Sequence, residues 1–264
     1  MSLPGGPSHI EVRQLTKRWV ARDATVVALE EISLTVAPQE FVTVLGPSGC
    51  GKSTLLSIIG GLVRPDAGDV RLAGAPADGP DPRKVAMVFQ DPGLFPWRTA
   101  LENVEFGLEL QGVAAARRRE IARSLLEPVG LRGFEDRYPR ELSGGMKQRV
   151  AIARALALDS PILLMDEPFG ALDEQTRLLM GEWLLGIWAR TRKTVVFVTH
   201  SLQEAIMLSQ RIVVMTARPG RIKASLEVTL PWPRDLSGPG ATALRTRLWD
   251  LIREESLRAL EVGR

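Results

Sequence analysis

Short apolar runs rich in β-branched residues alternate along this chain with longer segments of helical periodicity, and few folds accommodate that order. The runs lie at residues 41–45, 85–89, 162–165, 195–199 and 212–215, and they consist mainly of Val, Ile, Leu and Met. Continuous apolar runs of this length are typical of strands buried on both faces of a parallel sheet. Strands that alternate with helices form such sheets through helical crossovers. We therefore expect an α/β fold with a mainly parallel sheet.

The pattern changes to helices between residues 91 and about 155, with helical periodicity at 101–110 and 117–126. We expect an inserted helical subdomain there, within a main domain at 10–220 that follows a loose leader at 1–9. Residues 221–264 form a C-terminal extension with a possible strand at 224–230. Its last segment places Leu244, Leu248, Leu251 and Ile252 at helical spacing. We expect this helix to pack on the domain rather than on a membrane.

Composition excludes several classes of protein. The chain has 264 residues, 45% of them apolar, which is enough for one large domain with a substantial core. Its 34 Lys and Arg against 31 Asp and Glu are interspersed, so no basic tract indicates nucleic-acid binding. The single cysteine excludes an intramolecular disulfide and fits the cytoplasm. The start resembles no signal peptide, and the longest uncharged apolar stretch, 55–63, is far below the roughly 18 residues that span a bilayer.

A glycine-rich pattern follows the apolar run 41–45 and precedes the helical segment 54–62. It consists of Gly46, Pro47, Ser48, Gly49, Cys50, Gly51, Lys52 and Ser53. Between a strand and a helix, this spacing indicates a loop whose N–H groups surround phosphates. Lys52 would reach the terminal phosphates and Ser53 would bind Mg²⁺, with Thr54 counted in the same site. A simple turn before a helix is the alternative, but it requires neither Lys52 nor Ser53.

Cys50 occupies a variable position of this loop. Lys52 and the positive end of the following helix both favour the thiolate form of a nearby cysteine. We therefore expect a thiol that alkylating reagents reach when no nucleotide is bound.

Two adjacent acids, Asp166 and Glu167, end the apolar run that begins at residue 162. Neighbouring carboxylates repel each other, so a cation and a reaction explain them better than stability does. Asp166 suits the shell of Mg²⁺, and Glu167 suits the general base that orients an attacking water. An acidic turn is the alternative, and the phosphate-loop pattern elsewhere in the chain makes it the weaker one.

Ser143, Gly144 and Gly145 are predicted to begin a helix, with Ser143 as its N-cap. A glycine in a helix costs about 1 kcal/mol relative to alanine, so two of them in one turn indicate that bare backbone is needed there. Glycines at a helix start allow a phosphate to approach the N–H groups closely.

The run from Leu142 to Arg149 resembles the signature of the ATP-binding cassette family, and the resemblance covers residues 10–220. It implies a P-loop NTPase core with a mainly parallel sheet, an antiparallel β subdomain and an inserted helical subdomain. It also implies a head-to-tail dimer, formed by two copies of this chain or by this chain and a paired cassette. In that dimer the signature of one subunit caps ATP held by the phosphate loop of the other. By the same resemblance, Gln90 senses Mg²⁺ and couples to membrane subunits. Residues 171–173 cross the dimer interface, and His200 is a switch histidine that contacts the γ-phosphate. Trp19 matches the aromatic that stacks on adenine, which is commonly Tyr.

The residue after the switch histidine is often Asp in this family and is Ser201 here. Ser201 and Glu204 have the spacing of a capping box, in which each side chain bonds the other's backbone N–H. We therefore expect the next helix to begin at this point in the usual way.

Phe95 and Trp97 follow Gln90 closely. Two explanations fit these residues equally well. They pack in a core, or they line a groove that receives a cytoplasmic helix from a membrane subunit. The segments 94–97 and 213–222 resemble the nitrate, sulfonate and taurine importers.

The resemblance implies an ATP-hydrolysing subunit at the cytoplasmic face of the membrane. It would energise solute import through separate permease subunits, served indirectly by a solute-binding protein. A soluble cassette ATPase acting on ribosomes or DNA is the alternative, although such proteins usually carry two cassettes, coiled coils or zinc-binding cysteines. A nucleotide kinase with a phosphate loop would have no use for the signature.

Overall fold

The computed structural model of this chain describes residues 9–21 and 24–262, so the expected leader lies outside the described part except for His9. Its strands are β1 Ile10–Ala21, β2 Ala24–Val36, β3 Phe41–Leu45, β4 Ala67–Leu72, β5 Ala75–Pro76, β6 Val85–Val88, β7 Ile162–Asp166, β8 Thr194–Thr199, β9 Arg211–Met215 and β10 Ile222–Glu227. Its helices are α1 Lys52–Ile59, α2 Ala100–Leu110, α3 Ala115–Leu126, α4 Gly144–Ala157, α5 Glu174–Thr191, α6 Leu202–Leu208 and α7 Pro239–Val262. A 3₁₀ turn spans Pro139–Glu141.

The chain forms two compact units, of which the first comprises Met1–Asp81 and Lys193–Arg264. Its antiparallel sheet has the strand order β2-β1-β4-β5. The alternation of the sequence explains why β2 covers a core on one face, because Ile32, Leu34 and Val36 are buried while the residues between them are exposed. This sheet is the antiparallel β subdomain that the cassette resemblance implies.

The second sheet of the first unit has the order β10-β9-β3-β8, with β3 parallel to both of its neighbours. Every residue of β3, β8 and β9 is buried, as their continuous apolar runs predict. Leu248 and Ile252 of α7 pack into one apolar cluster with Leu45 and Val214, and α6 contributes to the same cluster. The last helix therefore packs on this unit.

The second unit comprises Pro82–Arg192. Its strands β6 and β7 pair in parallel, and α2 packs against α3 and α4. Thr99 and Glu102 form a complete capping box at the start of α2. The helices α2 to α4 occupy the region predicted to be a helical subdomain, and its narrower boundary at about 91–155 stays a prediction.

The buried strands lie within a residue or two of their predicted positions, whereas other elements shift or were not predicted. The strand expected at 224–230 spans Ile222–Glu227. Helix α5 was not predicted, and its glycines at 181 and 186 weaken the helical signal. In the described part of the chain, none of the helices combines the length and apolar character needed to cross a membrane.

A buried ion pair joins the starts of β3 and β9. The guanidinium of Arg211 donates to both carboxylate oxygens of Glu40, at 2.7 and 3.0 Å, and also to the carbonyl of Thr35 at 2.7 Å. Both side chains are largely buried, so each charge depends on the other for compensation.

Replacing Glu40 with Ala should destabilise the fold by about 3 kcal/mol, because it leaves the Arg211 guanidinium buried without its counter-charge. Equilibrium urea unfolding measures the loss. Glu11→Ala, which removes the partner of the exposed Arg13, is the matched control and should have a far smaller effect. Equal losses in the two variants would contradict a special role for the buried pair.

Candidate functional site

The glycine-rich pattern forms a loop between the buried strand β3 and helix α1, as predicted. Gly51 is the N-cap of α1 and has a φ of 102°, in the left-handed region that favours glycine. A Cβ at Gly51 would also lie 2.7 Å from the carbonyl oxygen of Ala28 and from the Leu29 side chain. Backbone conformation and packing therefore both require glycine at the helix start.

Lys52 lies within the loop that it would serve. Its ammonium donates hydrogen bonds to the carbonyls of Gly46 at 2.8 Å and Pro47 at 2.9 Å. Its side chain is buried, whereas Ser53 is exposed and Thr54 is half-buried in the first turn of α1. This arrangement places a cation and a hydroxyl at the positive end of one helix, where phosphate oxygens bind favourably.

Cys50 is only 1% exposed. Its sulfur lies where a Cβ at Gly46 would come within 2.9 Å, so the side chain is packed against the base of the loop. The expectation of an accessible, reactive thiol is therefore wrong for this fold. The backbone of Cys50 still belongs to the loop, where its N–H group faces the Pro47 carbonyl at 3.4 Å.

His200 is exposed directly after β8 and lines a pocket of about 390 Å³ together with Pro47 and Ser48 of the loop. The structure thus brings these predicted site residues together within the first unit. On the other side, the pocket is lined by residues of α7, which the sequence did not associate with the site.

The capping box expected after His200 is only half formed. The Ser201 hydroxyl accepts the Glu204 N–H at 3.3 Å, as predicted. The Glu204 carboxylate instead accepts the Thr199 hydroxyl at 2.6 Å, and the Thr199 oxygen accepts the Ser201 N–H at 2.9 Å. Thr199 ends β8, so these bonds connect the last strand residue to the start of α6 across the position of His200.

Trp19 lies on β1 and is 46% exposed, which excludes a core role for it in this unit. The Lys17 ammonium lies 5.1 Å from the centre of its ring. Asp66 fixes this segment by accepting the Arg18 N–H and the Lys17 ammonium, at 2.5 and 3.0 Å. The Arg18 N–H first, and then Lys17, hold the pKa of Asp66 below its usual value. An exposed indole on a fixed strand can stack on a flat ligand.

In the second unit, Asp166 and Gln90 lie at the same edge of the β6–β7 pair. Asp166 is the last residue of β7, and Gln90 follows the end of β6 by two residues. The strands are parallel, with Val88 opposite Met165, so their carboxyl ends coincide. Asp166 is buried and Gln90 is exposed.

Glu167 follows β7 with a φ of 44°, a left-handed conformation that costs a residue with a side chain about 1 kcal/mol. Its carbonyl accepts the Gly170 N–H at 3.0 Å. Such conformations persist where the surroundings enforce them, and they concentrate at functional sites. The half-buried carboxylate of Glu167 thus has a backbone position set by the strand and by the turn that follows.

Ser143 is the N-cap of α4, and its hydroxyl accepts the Met146 N–H at 3.2 Å. A Cβ at Gly144 would meet no other atom within 4 Å among the described residues. At Gly145 it would lie 3.0 Å from the side chain of Leu172, so the helix start is adjacent to the segment 171–173. Packing therefore gives a reason for glycine at 145 but none at 144.

The aromatic segment after Gln90 forms a turn that α2 and α4 hold in place. The buried Asn103 side chain accepts the Phe95 N–H at 2.8 Å and donates to the carbonyls of Phe95, Arg98 and Thr99. Trp97 is 71% exposed and packs on Phe95, with ring centres 5.6 Å apart. Core packing is therefore excluded for Trp97.

An open groove of about 940 Å³ lies beside this turn, entirely within the second unit. Its apolar lining includes Met87, Phe89, Phe95, Phe106 and Leu110. The guanidinium of Arg154 donates to the carbonyls of Pro92 and Gly93, at 2.6 and 2.9 Å, and burial lowers its pKa. The groove is thus apolar and has a fixed rim.

Sequence reasoning missed several residues that shape these sites. Asn103 and Arg154 hold the aromatic turn, and the sequence periodicity of α2 and α4 did not indicate these contacts. Arg218 donates to the carbonyl of Gly49 in the phosphate loop. Its only signal was its position in the segment 213–222, which resembles the nitrate, sulfonate and taurine importers.

The residues expected to bind Mg²⁺ fit that ion by their chemistry. Ser53, Gln90 and Asp166 offer a hydroxyl, an amide and a carboxylate oxygen, and Mg²⁺ prefers oxygen ligands. No group of three or more His, Cys, Asp or Glu in the described part of the chain could hold a metal ion. Mg²⁺ ordinarily completes its coordination with substrate phosphates and water.

Comparison with known proteins identifies relatives along nearly the whole chain. The ABC transporter family matches residues 29–170. An uncharacterized ABC transporter ATP-binding protein of Methanocaldococcus jannaschii is 51% identical over 252 residues, covering 96% of this chain and 94% of that protein. The nitrate import ATP-binding protein NrtD of Synechocystis sp. is 48% identical over 84% of each chain. The taurine import ATP-binding protein TauB of Yersinia pestis bv. Antiqua is 48% identical, over 76% of this chain and 78% of that protein.

The dimeric, post-hydrolysis structure of the ATP-binding cassette MJ0796 bound to ADP and Pi matches this fold with a TM-score of 0.76 and 35% identity. The match covers 83% of this chain and 98% of that one. Fold, motifs and relatives agree, and the chain belongs to the ABC transporter family as an ATP-binding subunit whose ATPase activity is coupled to transport.

Proposed function

We propose that this chain energises the import of a small solute, of the nitrate, sulfonate or taurine type, through separate membrane permease subunits. It acts at the cytoplasmic face of the membrane, and a solute-binding protein supplies the permease. The observation that carries the ATP-dependent part of the proposal is that two helix starts on one chain carry glycines, as phosphate-binding helix starts do. One is the Gly46–Ser53 loop, and the other is the start of α4, where Gly144 borders open space among the described residues. The names of the relatives NrtD and TauB support import.

ATP binds first through its phosphates. The N–H groups of the loop and the N-terminus of α1 bind the phosphate oxygens, with Thr54 in the first turn. Lys52 exchanges its contacts with the loop carbonyls for the terminal phosphates. The exposed indole of Trp19 stacks on adenine. Each of these groups presents either backbone donors, charge or a flat apolar face, which are the features that a nucleotide requires.

Hydrolysis follows by in-line attack of water on the γ-phosphorus. The oxygen of the attacking water bonds to the γ-phosphorus, and Glu167 accepts a proton from that water. The bond between the γ-phosphorus and the β–γ bridging oxygen breaks, and ADP leaves. Gln90 and His200 position the water and the γ-phosphate. Mg²⁺, held by Ser53, Gln90 and Asp166, would supply positive charge to the phosphates when bound. The strained backbone of Glu167 supports its assignment as the base.

Two copies are required for a complete site. The Ser143–Gly145 helix start of one subunit caps the ATP held by the loop of the other, and the Ala171–Asp173 segment lies along the same interface. The open space at Gly144 supports this, because a side chain would separate the helix N–H groups from a phosphate. The dimeric state of the cassette MJ0796 is consistent with such an assembly.

The apolar groove beside Phe95 and Trp97 receives a short helix of the permease. An exposed apolar surface with a fixed rim matches the way an amphipathic helix docks by its apolar face. Helix α2 contributes Phe106 and Leu110 to the groove. Action on ribosomes or DNA is not favoured, since the relatives NrtD and TauB are named for import.

Replacing Glu167 with Gln should lower the rate of phosphate release about 100-fold or more, because the amide cannot accept the proton of water. ATP binding should persist, so size-exclusion chromatography with ATP should show a trapped dimer. Glu182→Gln, at an exposed position of α5, is the control for loss of one negative charge. Normal hydrolysis in the Glu167 variant would show that another group is the base.

Trp19→Ala should weaken ATP binding by about 1–3 kcal/mol through the loss of stacking, whereas Trp19→Tyr should be nearly neutral. Titration with a fluorescent ATP analogue measures both. Val20→Ala is the matched control, because the next residue of a strand points to the opposite face. An unchanged affinity in the Trp19→Ala protein would place adenine elsewhere.

Trp97→Ala and Leu110→Ser should fold and bind ATP normally but fail to co-purify with the proposed permease partner. Leu179→Ala, which alters a leucine of similar exposure outside the groove, should co-purify normally. Thermal unfolding of each isolated variant separates loss of docking from loss of structure. Normal recovery of the permease by both groove variants would disprove the docking assignment.

A further inference from the structure

The turn between β9 and β10 reaches the phosphate loop. The Arg218 side chain donates to the carbonyl oxygen of Gly49 from Nη2 at 3.1 Å and from Nε at 3.3 Å. Gly49 has a φ of 74° and lies in the middle of the loop. Because a peptide group is planar, fixing this carbonyl also fixes the N–H of Cys50, which points the opposite way. One side chain thus sets the orientation of a peptide group within the phosphate site.

The turn that carries Arg218 is itself held firmly. Gly220 donates its N–H to the Ala28 carbonyl at 3.0 Å and accepts the Glu30 N–H at 3.0 Å. A Cβ at Gly220 would lie 2.1 Å from the carbonyl oxygen of Cys50, so only glycine permits this approach. The backbone of the turn is therefore in close contact with the loop, and the backbone position of Arg218 is fixed.

Helix α7 fixes the other end of the turn through a buried carboxylate. Glu255 accepts the N–H of Ala217, the residue before Arg218, at 2.9 Å and the Lys223 ammonium at 2.7 Å. Burial opposes the ionisation of Glu255, but the hydrogen bonds from Lys223 and Ala217 outweigh it, and the pKa of Glu255 is below its usual value. The last helix is thus anchored to the residue that precedes Arg218.

The same helix also lines the pocket beside the loop. Three residues of α7 line the pocket of about 390 Å³ together with Pro47 and Ser48, namely Trp249, Ile252 and Ser256. The C-terminal extension therefore adjoins the loop at two places, by a pocket wall and by the Glu255 anchor. If α7 only covered the core, neither the pocket wall nor the Glu255 hydrogen bonds would be required.

We propose that Arg218 is a positioning residue for the phosphate loop and that Glu255 of α7 holds Arg218 in place. The inference rests on the proposed phosphate role of Gly46–Ser53. A loop of glycines must otherwise be ordered when ATP binds, and that ordering lowers affinity. Arg218 orders the loop beforehand without touching the nucleotide. The C-terminal helix thereby contributes to ATP affinity at a distance.

Arg218→Ala should raise the Kd for ATP about tenfold, the size of one lost hydrogen bond to a charged group, with a smaller change in kcat. Arg218→Lys should recover part of the affinity, because an ammonium can still donate to the Gly49 carbonyl. Arg221→Ala is the matched control, since Arg221 lies in the same turn but pairs with Glu30. Its Kd should be unchanged, and the nucleotide-free variants should unfold at similar temperatures.

Lys52→Ala separates the two hypotheses. If it leaves ATP affinity unchanged, the proposed role of the loop itself fails. If it abolishes binding while Arg218→Ala binds as tightly as the parent protein, only the positioning role is overturned. A loss of affinity in the Arg221 variant equal to that in the Arg218 variant would also overturn it, because the turn would then act without a specific contact.

The contribution of α7 has its own pair of variants. Glu255→Ala should weaken ATP binding in the same direction as Arg218→Ala, and combining the two changes should add little, since both act through one contact. Glu254→Ala is the control, because this neighbouring carboxylate is exposed and lies farther from Lys223, at 3.7 Å. If the Glu255 variant folds normally and its ATP affinity is unchanged, α7 does not contribute to the ordering of the loop.

Discussion

A loop that binds phosphate through its backbone must leave its N–H groups available to a ligand and yet retain one shape. In this chain the shape comes from the elements around the loop and from the loop's own lysine. The buried strand β3, held between two parallel neighbours, fixes its entry, and the start of α1 fixes its exit. Lys52 binds two of its carbonyls, while Ala28 and Gly220 press against its backbone. Glycine at 51 and 220 is the condition for that packing.

The second unit follows a related rule, in which buried strands end at polar groups. Strand β7 is fully buried and ends at Asp166, and the next residue adopts a backbone conformation that is unfavourable in isolation. Stability of the strand therefore maintains the geometry of Glu167. At the start of α4 the helix has a serine cap, and a Cβ at Gly144 would meet nothing within 4 Å outside its own helix among the described residues. Regular elements thus fix the backbone at the positions for which we propose a role in ATP hydrolysis.

Local patterns predicted much of this structure, and contacts between distant segments escaped prediction. The strand, loop and helix around Lys52 could be predicted because periodicity and glycine spacing are written in adjacent residues, and Ser143 was recognised as a cap for the same reason. The burial of Cys50 could not, since it depends on which way a loop residue turns. Glu204 bonds Thr199 rather than completing its capping box, because the preceding strand places a hydroxyl nearby. Arg218 and Gly49 are 169 residues apart, and no spacing rule connects them.

The hydrogen bonds of Asn103 have a consequence for molecular recognition. Four contacts from one buried amide fix the backbone between Phe95 and Thr99. The backbone of this surface is already ordered in the folded protein. Binding of a helix there would therefore cost little additional conformational entropy. The same rigidity means that a displacement of the bound helix would move the whole turn as one body. Such a turn can transmit a small movement to α2 without absorbing it.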